Sequence, residues 1–230
     1  MRPQDADLVA SQYATEDALE ARRSVYGDVE GPDAKEVAFA AIAETAPRRV
    51  LEVGGGPGEL SERISRELGS EVVMVDSSPR MVELARARGV DAHVGDVQEL
   101  PFGDGEFDCA VAAWMLYHVL DLDRGLSELK RVLQPGGRLV AVTNGREHMQ
   151  ELRRLAGGSA WEWRFRREEA VEVLERHFGR VERRDVDAWV TVDPDGVQRW
   201  VESLGGGSRP RLVDKPVRAH IACAILVAEP

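Results

Sequence analysis

Cysteine is scarce in this chain of 230 residues, which contains only Cys109 and Cys223. Both lie in apolar, strand-like segments, which favours inert packing over a disulfide. No Cys/His cluster has the spacing of a zinc site, so we expect no metal. The chain also lacks an apolar run long enough to span a bilayer, and residues 1–5 lack the apolar core of a signal peptide. We therefore expect a cytoplasmic protein that does not cross a membrane.

Basic residues are fewer than acidic ones, since the chain contains 30 Lys and Arg residues and 41 Asp and Glu residues. The net charge of −11 repels a phosphate backbone, so nucleic acid is not an expected partner. One local exception is the segment Trp161–Arg167, in which aromatic residues and arginines interleave. It could stack and clamp bases, or it could be an amphipathic segment that covers a helix. The acidity of the whole chain favours the second interpretation.

Strand-like and helix-like segments alternate through the first two thirds of the chain. This alternation predicts a parallel sheet with crossover helices, and the hydrophobic content of 43% suffices for one substantial core. Predicted strands span residues 49–53, 71–76, 90–94, 109–113 and 138–143. Predicted helices span residues 16–26, 33–45, 58–68, 79–88, 122–132, 146–155 and 168–178. Two further strands, at 181–192 and 219–227, are separated by a turn at Asp193–Gly196 and a short helix to Leu204.

The glycine-rich stretch after the first of these strands, Gly54-Gly-Gly-Pro-Gly58, is the most informative feature. Such a turn lets backbone N–H groups approach a ligand closely. The next strand ends in Asp76, a carboxylate placed to bind both hydroxyls of a ribose. Ligands of such sheets bind where the parallel strands end, so the sequence predicts a nucleoside-containing cofactor there.

The spacing of the glycines argues against a dinucleotide. Gly54, Gly56 and Gly58 give G-x-G-x-G, and Glu59 stands where the dinucleotide fingerprint needs a small residue. Glu52, at the end of the strand before the turn, is unfavourable for a diphosphate. It suits a ligand with positive charge, such as a sulfonium or an ammonium.

Five motifs follow one another in order along the chain. They are Leu51-Glu-Val-Gly-Gly-Gly-Pro-Gly58, Val75-Asp-Ser-Ser-Pro-Arg-Met81, Gly95-Asp-Val-Gln-Glu-Leu-Pro-Phe102, Phe107-Asp-Cys-Ala-Val-Ala-Ala113 and Leu133-Gln-Pro-Gly-Gly-Arg-Leu-Val140. Together they resemble the motifs of one family, the class I S-adenosylmethionine-dependent methyltransferases, and within it the group of ubiquinone and menaquinone biosynthesis. The resemblance covers about residues 48–143.

The resemblance implies a Rossmann-like α/β fold: a seven-stranded, mostly parallel sheet with helices on both faces and an antiparallel last strand. It implies one methyltransferase domain, with an N-terminal helical lid (1–46), a cofactor-binding core (47–145) and a substrate-side insertion with the C-terminal strands (146–230). The cofactor would be S-adenosyl-L-methionine, and its product S-adenosyl-L-homocysteine.

The resemblance also assigns roles on the cofactor side. Asp76 would bind the ribose, Asp96 the adenine amino group and the N–H of Val97 a ring nitrogen, while Glu52 would orient the amino acid end. Met81 would pack on the adenine, although it could equally belong to the helix core. The remaining cofactor-binding positions are Gly54, Gly55, Gly56, Ser77 and Ala113.

Acceptor-side residues are expected beyond the later strands. His118 is the candidate general base, since its ordinary pKa suits proton transfer near neutrality, but it could instead be a structural histidine. Tyr117 is expected to orient the substrate and Tyr13 to close over the cofactor. Asn144 and His148 are expected to line the acceptor pocket, and Asn144 could also cap a helix.

These inferences predict methyl transfer to O, N or C of a small molecule by in-line displacement, in a monomer or homodimer. The alternatives are a methyltransferase of RNA or protein, a non-catalytic protein that binds a nucleoside cofactor, and an NAD-linked reductase with an unusual fingerprint.

Overall fold

The helices and strands alternate as the apolar pattern predicts. The computed structural model describes residues 17–157, 164–204 and 213–230. Its helices are α1 (Asp17–Arg23), α2 (Ala34–Ala43), α3 (Glu59–Leu68), α4 (Pro79–Ala87), α5 (Leu122–Val132), α6 (Gln150–Leu155), α7 (Ala170–Glu175) and α8 (Pro194–Ser203). Its strands are β1 (Val29–Glu30), β2 (Arg49–Val53), β3 (Glu71–Asp76), β4 (Asp91–Val94), β5 (Phe107–Ala113), β6 (Leu133–Asn144), β7 (Arg180–Val192) and β8 (Val217–Glu229).

The described strands form one sheet of eight, in the order β1-β7-β8-β6-β5-β2-β3-β4. Strands β2 to β6 pair in parallel, and the last strand, β8, runs antiparallel to both of its neighbours, as predicted. The predicted count of seven was wrong by one. The added strand β1 has two residues, of which Val29 pairs with Val190 and Glu30 with Trp189. A two-residue strand is too short to show a periodic pattern.

Side chains of the central strands alternate between the two faces of the sheet. Val50 packs in the cluster on one face and Leu51 in that on the other, and Val140 and Leu139 divide in the same way. Because both faces are covered, these strands read as nearly continuous apolar runs.

Two predicted boundaries shift for identifiable reasons. Strand β6 already begins at Leu133, and Pro135–Gly137 form an irregularity in its pairing with β5 rather than a separate turn. Helix α6 begins at Gln150 and not at residue 146, since Gly145 and Met149 donate backbone bonds to Ala222 and His220 of β8.

Helix starts are capped by short polar side chains. Ser78 accepts from the N–H of Met81 at the start of α4, as its pairing with Pro79 predicts. Asp193 caps α8 by accepting from Gly196, so the expected turn at 193–196 is the first turn of a helix.

Two helices that lie far apart in the sequence, α1 and α8, meet in the fold. Helix α1 packs against α8, where Arg22 Nη1 donates to the carbonyl of Ser203 at 3.2 Å. The division into lid, core and insertion stays a prediction. None of the helices in the described ranges has the length and apolar content needed to cross a bilayer.

Candidate active site

A cavity of about 1560 Å³ lies where β2, β3, β5 and β6 end at their carboxyl termini. It is lined by most of the residues that the sequence singled out. On the cofactor side these are Glu52, Gly54, Gly55, Gly56, Asp76, Ser77, Asp96, Val97 and Ala113. On the acceptor side they are Tyr117, His118, Asn144 and His148. The sheet therefore brings together residues that lie far apart in the sequence.

The glycine turn is tied directly to the end of β3. The N–H of Gly56 donates to Asp76 Oδ2 at 2.9 Å, and the N–H of Ser78 donates to Asp76 Oδ1 at 2.8 Å. A carboxylate oxygen has two lone pairs, so each oxygen of Asp76 can still accept a hydroxyl. Burial raises the pKa of Asp76, and the two backbone donors oppose that rise.

Gly56 has a backbone conformation and surroundings that suit a ligand. Its φ is +58°, and a Cβ added there would meet no atom within 4 Å. Gly55 differs, since a Cβ there would lie 2.6 Å from Met74 Sδ and 2.9 Å from Glu52 Cδ. The backbone at Gly56 thus faces open cavity, whereas the backbone at Gly55 is packed from behind.

Glu52 is a buried carboxylate that faces this turn. It exposes 2% of its surface and accepts a hydrogen bond from the hydroxyl of Ser61 in α3. Desolvation raises its pKa to about 7, and the nearby Asp76 adds to the rise, while the bond from Ser61 opposes it. A buried acid of this kind is stabilised in its charged form by a cationic ligand.

The adenine-side residues are partly arranged as expected. Asp96 lines the cavity, and its carboxylate accepts from the backbone N–H and side-chain amide of Gln98. Met81 is almost fully buried in α4 and does not line the cavity, so its contact with adenine stays a prediction. Tyr13 lies outside the described residues.

The first two acceptor-side residues, Tyr117 and His118, lie in a short 3₁₀-helix, Leu116–His118, directly after β5. Their rings meet edge to face with centroids 4.5 Å apart. His118 is partly exposed and lines the cavity, which is compatible with a role as base. That role stays a prediction.

A hydrogen-bonded cluster, which we call the polar wall, forms one side of the cavity. The hydroxyl of Tyr26 lies 2.9 Å from His148 Nε2. Asn144 Oδ1 accepts from the indole Nε1 of Trp114 at 3.1 Å and from Cys223 Sγ at 3.2 Å. Tyr26, Trp114 and Cys223 were not predicted as site residues, and all line the cavity.

Burial controls the protonation of His148 and Cys223 in the polar wall. Desolvation lowers the pKa of His148 to about 3, helped by the positive charge of Arg153, and raises that of Cys223 to about 12. Tyr26 exposes 38% of its surface, and the pKa of its phenol lies above the ordinary value of 10.0. Near neutral pH the imidazole, the phenol and the thiol are therefore all uncharged.

The aromatic and basic segment 161–167 is described only from Arg164 onward. There Phe165 is fully buried, Arg164 donates to the carbonyl of Leu120, and Arg167 pairs with Asp187 at 2.8 Å. These contacts agree with the interpretation of a packed amphipathic segment.

Comparison with known proteins agrees with this geometry. Residues 51–141 match the family described as a methyltransferase domain. In this range the chain is similar to a methyltransferase domain. The matched range contains the glycine turn, Asp76, Asp96 and His118 of the candidate site.

The curated proteins to which this chain is similar include enzymes named for quinone biosynthesis. The demethylmenaquinone methyltransferase of Thermus thermophilus is 41% identical over 43% of this chain and 48% of its own length. The ubiquinone/menaquinone biosynthesis C-methyltransferase of Cellvibrio japonicus is 36% identical over 45% of this chain and 46% of its own length. The chain thus spans about half the length of the curated relatives that it matches.

Solved structures share the fold of this chain and confirm the predicted Rossmann-like architecture. The YcgJ protein of Bacillus subtilis has a TM-score of 0.63 at 18% identity and covers 84% of this chain and 98% of its own. A phosphoethanolamine methyltransferase of Haemonchus contortus, solved with phosphomonomethylethanolamine and S-adenosylhomocysteine, has a TM-score of 0.65 at 19% identity; the match covers 100% of this chain and 61% of that one. The [4+2]-cyclase SpnF has a TM-score of 0.63 at 20% identity, and the match covers 100% of this chain and 97% of SpnF.

The residues present fit the cofactor of this family. The open space at Gly56 leaves room beside the turn, and Asp76 offers oxygens suited to a ribose. Glu52 supplies a buried negative charge suited to the positive end of S-adenosylmethionine.

Proposed function

We propose that this protein transfers a methyl group from S-adenosylmethionine to a small-molecule acceptor. The cavity carries this proposal. Ligand pockets typically measure about 300–1000 Å³. At about 1560 Å³, this cavity exceeds the needs of one ligand, and its lining includes residues predicted for the cofactor and residues predicted for the acceptor.

The bound cofactor would supply a methyl group already activated by the positive sulfur. The protein would then have to align the acceptor in line with the breaking bond and exclude water. The cavity is lined both by the strand ends and by residues of other segments, such as Tyr26 and Leu204, which suits this task. Where the acceptor arrives protonated, His118 is the proposed base.

Calorimetric titration tests the cofactor. We expect binding of S-adenosylmethionine and S-adenosylhomocysteine and none of NADH at equal concentration. Binding of NADH alone would contradict the proposal and favour the reductase alternative. Because the same fold is found in a cyclase, binding must be followed by detection of a methylated product.

The first acceptors to test are reduced quinone precursors, because the relatives from Thermus and Cellvibrio are named for quinone methylation. Incubation with S-adenosylmethionine and demethylmenaquinol, followed by mass spectrometry, would show one added methyl group. S-adenosylhomocysteine release without a methylated quinol would exclude this acceptor and direct the search to other small molecules.

The site of action and the assembly state belong to the same proposal. We infer action in the cytoplasm as a monomer or homodimer. Cell fractionation and light scattering would test these two points. A methyltransferase of RNA or protein remains the alternative, and it would require salt-sensitive binding of the macromolecule.

A further inference from the structure

We propose that Tyr26 and Asn144 form a pair of hydrogen-bond donors that binds a carbonyl or anionic oxygen of the acceptor molecule. This inference rests on the proposed function, because it names the chemistry of the acceptor in the same cavity. It adds Tyr26 to the site and assigns Asn144 the role of a hydrogen-bond donor.

The orientation of the Asn144 amide follows from its neighbours. The indole N–H of Trp114 can only donate, so the Asn144 atom 3.1 Å away must be the oxygen. The thiol of Cys223, which stays protonated, donates to the same oxygen. Within the described residues no acceptor takes the two amide N–H groups, and Asn144 lines the cavity. Toward a ligand in the cavity, the Asn144 side chain therefore acts as a hydrogen-bond donor.

The orientation of the Tyr26 hydroxyl follows from the tautomer of His148. The backbone N–H of Ala222, which can only donate, lies 3.3 Å from His148 Nδ1. The neutral imidazole must then carry its proton on Nε2, which lies 2.9 Å from the Tyr26 oxygen. His148 thus donates to Tyr26, and the hydroxyl proton of Tyr26 is left to donate into the cavity.

The charges around the polar wall also suit an oxygen that carries negative charge. Arg22 and Arg153 line the cavity beside it. The positive charge of Arg22 acts on the Tyr26 hydroxyl, and that of Arg153 acts on His148. Donors that are fixed in a positive field stabilise a developing oxyanion. An acceptor whose oxygen becomes an enolate or phenolate matches this arrangement.

A phenolate probe tests the donor pair without knowledge of the natural acceptor. The protein is first saturated with S-adenosylhomocysteine and then titrated with 4-nitrophenol just below the pKa of the free phenol. The ionised form absorbs visible light, so the ionised fraction of the bound probe is read directly. We expect binding to favour the phenolate about tenfold or more over solution.

Two nearly isosteric variants remove one donor each. Tyr26→Phe removes the hydroxyl without changing charge, and Asn144→Asp keeps the oxygen that Trp114 and Cys223 need. Each is expected to weaken preferential binding of the phenolate about tenfold. Gln134→Glu, at the opposite end of β6, is the charge control and should leave the preference unchanged. The ether 4-nitroanisole, which cannot ionise, should bind all variants with affinities within about twofold.

The outcomes separate this inference from the proposed function. If S-adenosylhomocysteine does not bind, the proposed function fails first. If it binds but 4-nitrophenol does not, or binds without added ionisation, the donor pair is refuted and the methyltransferase proposal stands. A preference for phenolate that survives in Tyr26→Phe also refutes it, provided that the melting temperature and S-adenosylhomocysteine affinity of that variant are retained.

Discussion

At the scale of single residues, the two carboxylates beside the glycine turn differ in their surroundings. Asp76 is held by two backbone N–H groups. Glu52 is more deeply buried and has one side-chain donor, Ser61. We therefore expect Asp76 to act through hydrogen bonds and Glu52 through its charge.

Replacing Asp76 by Ala should weaken binding of S-adenosylhomocysteine by roughly 1.5–3 kcal/mol, because hydrogen bonds to a charged group are lost. Calorimetry would measure the loss. Since Asp76 also holds Gly56, a cofactor analogue without the ribose hydroxyls serves as the control. If that analogue loses as much affinity on Asp76→Ala as the parent, the ribose is not the partner of Asp76.

Binding of the cationic cofactor should depend on pH through Glu52. Its pKa of about 7 means that the acid is largely protonated below neutrality, and a positive ligand favours the ionised form. The affinity for S-adenosylmethionine should rise with pH, by a slope approaching about tenfold per pH unit below about pH 7. Glu52→Gln should show a flatter profile; an equal slope in both proteins would remove Glu52 from this role.

Burial of Glu52 also has a signature in stability. The ordinary pKa of 4.5 is raised to about 7 in the fold, so the folded protein holds a proton that the unfolded chain releases between these values. The stabilisation that comes from the raised pKa of Glu52 is fully present below pH 4.5 and is lost as pH rises through 7. Over this range the free energy of unfolding falls by up to about 3 kcal/mol. Denaturation of wild type and Glu52→Gln across this window would measure it, and parallel curves would contradict it.

At the scale of elements, the turn between β2 and α3 holds three left-handed glycines, Gly54, Gly56 and Gly58, and the last two have different surroundings. Gly56 has a φ of +58° and open space, whereas Gly58 has a φ of +81° and a hypothetical Cβ there lies 2.7 Å from Ala85 Cβ in α4. One glycine therefore leaves room for a ligand, and the other lets two helices pack closely.

This difference predicts opposite effects of two alanine substitutions. Both add left-handed strain of about 1–2 kcal/mol. Gly58→Ala adds a clash with α4 and should lower the melting temperature more. Gly56→Ala should cost less stability but more cofactor affinity, because its methyl group enters the cavity. Thermal melts of both variants measure the loss of stability, and calorimetry measures the loss of cofactor affinity. A larger loss of cofactor affinity in Gly58→Ala than in Gly56→Ala would contradict the prediction that Gly56 is the glycine beside the ligand.

At the scale of the whole molecule, a ligand that binds only the folded state stabilises it. S-adenosylhomocysteine at 100 times its dissociation constant should stabilise the protein by about 2.7 kcal/mol. For a chain of this size the melting temperature should rise by about 5–10 °C. NADH at the same concentration should produce no shift, and an equal shift with both would contradict specific recognition of the cofactor.

The overall charge gives a separate prediction. With a net charge of −11, the protein should not bind single-stranded RNA measurably at about 50 mM salt. Fluorescence anisotropy with a labelled oligonucleotide measures this. Salt-sensitive binding that is lost when Arg164 and Arg166 are replaced by Ser would instead support the alternative of an RNA methyltransferase.

The residues alone are enough to predict the sheet with crossover helices, the glycine turn and the position of Asp76 at the end of the adjacent strand. These features depend on contacts between neighbouring segments of the chain, and local patterns of glycine, proline and apolar residues report them. The hydrogen bond from Gly56 to Asp76 and the polar wall are visible only in the folded chain. Tyr26, Trp114, Asn144, His148 and Cys223 come from segments far apart in the sequence, and their donor and acceptor roles are set by which atoms face one another across the folded sheet.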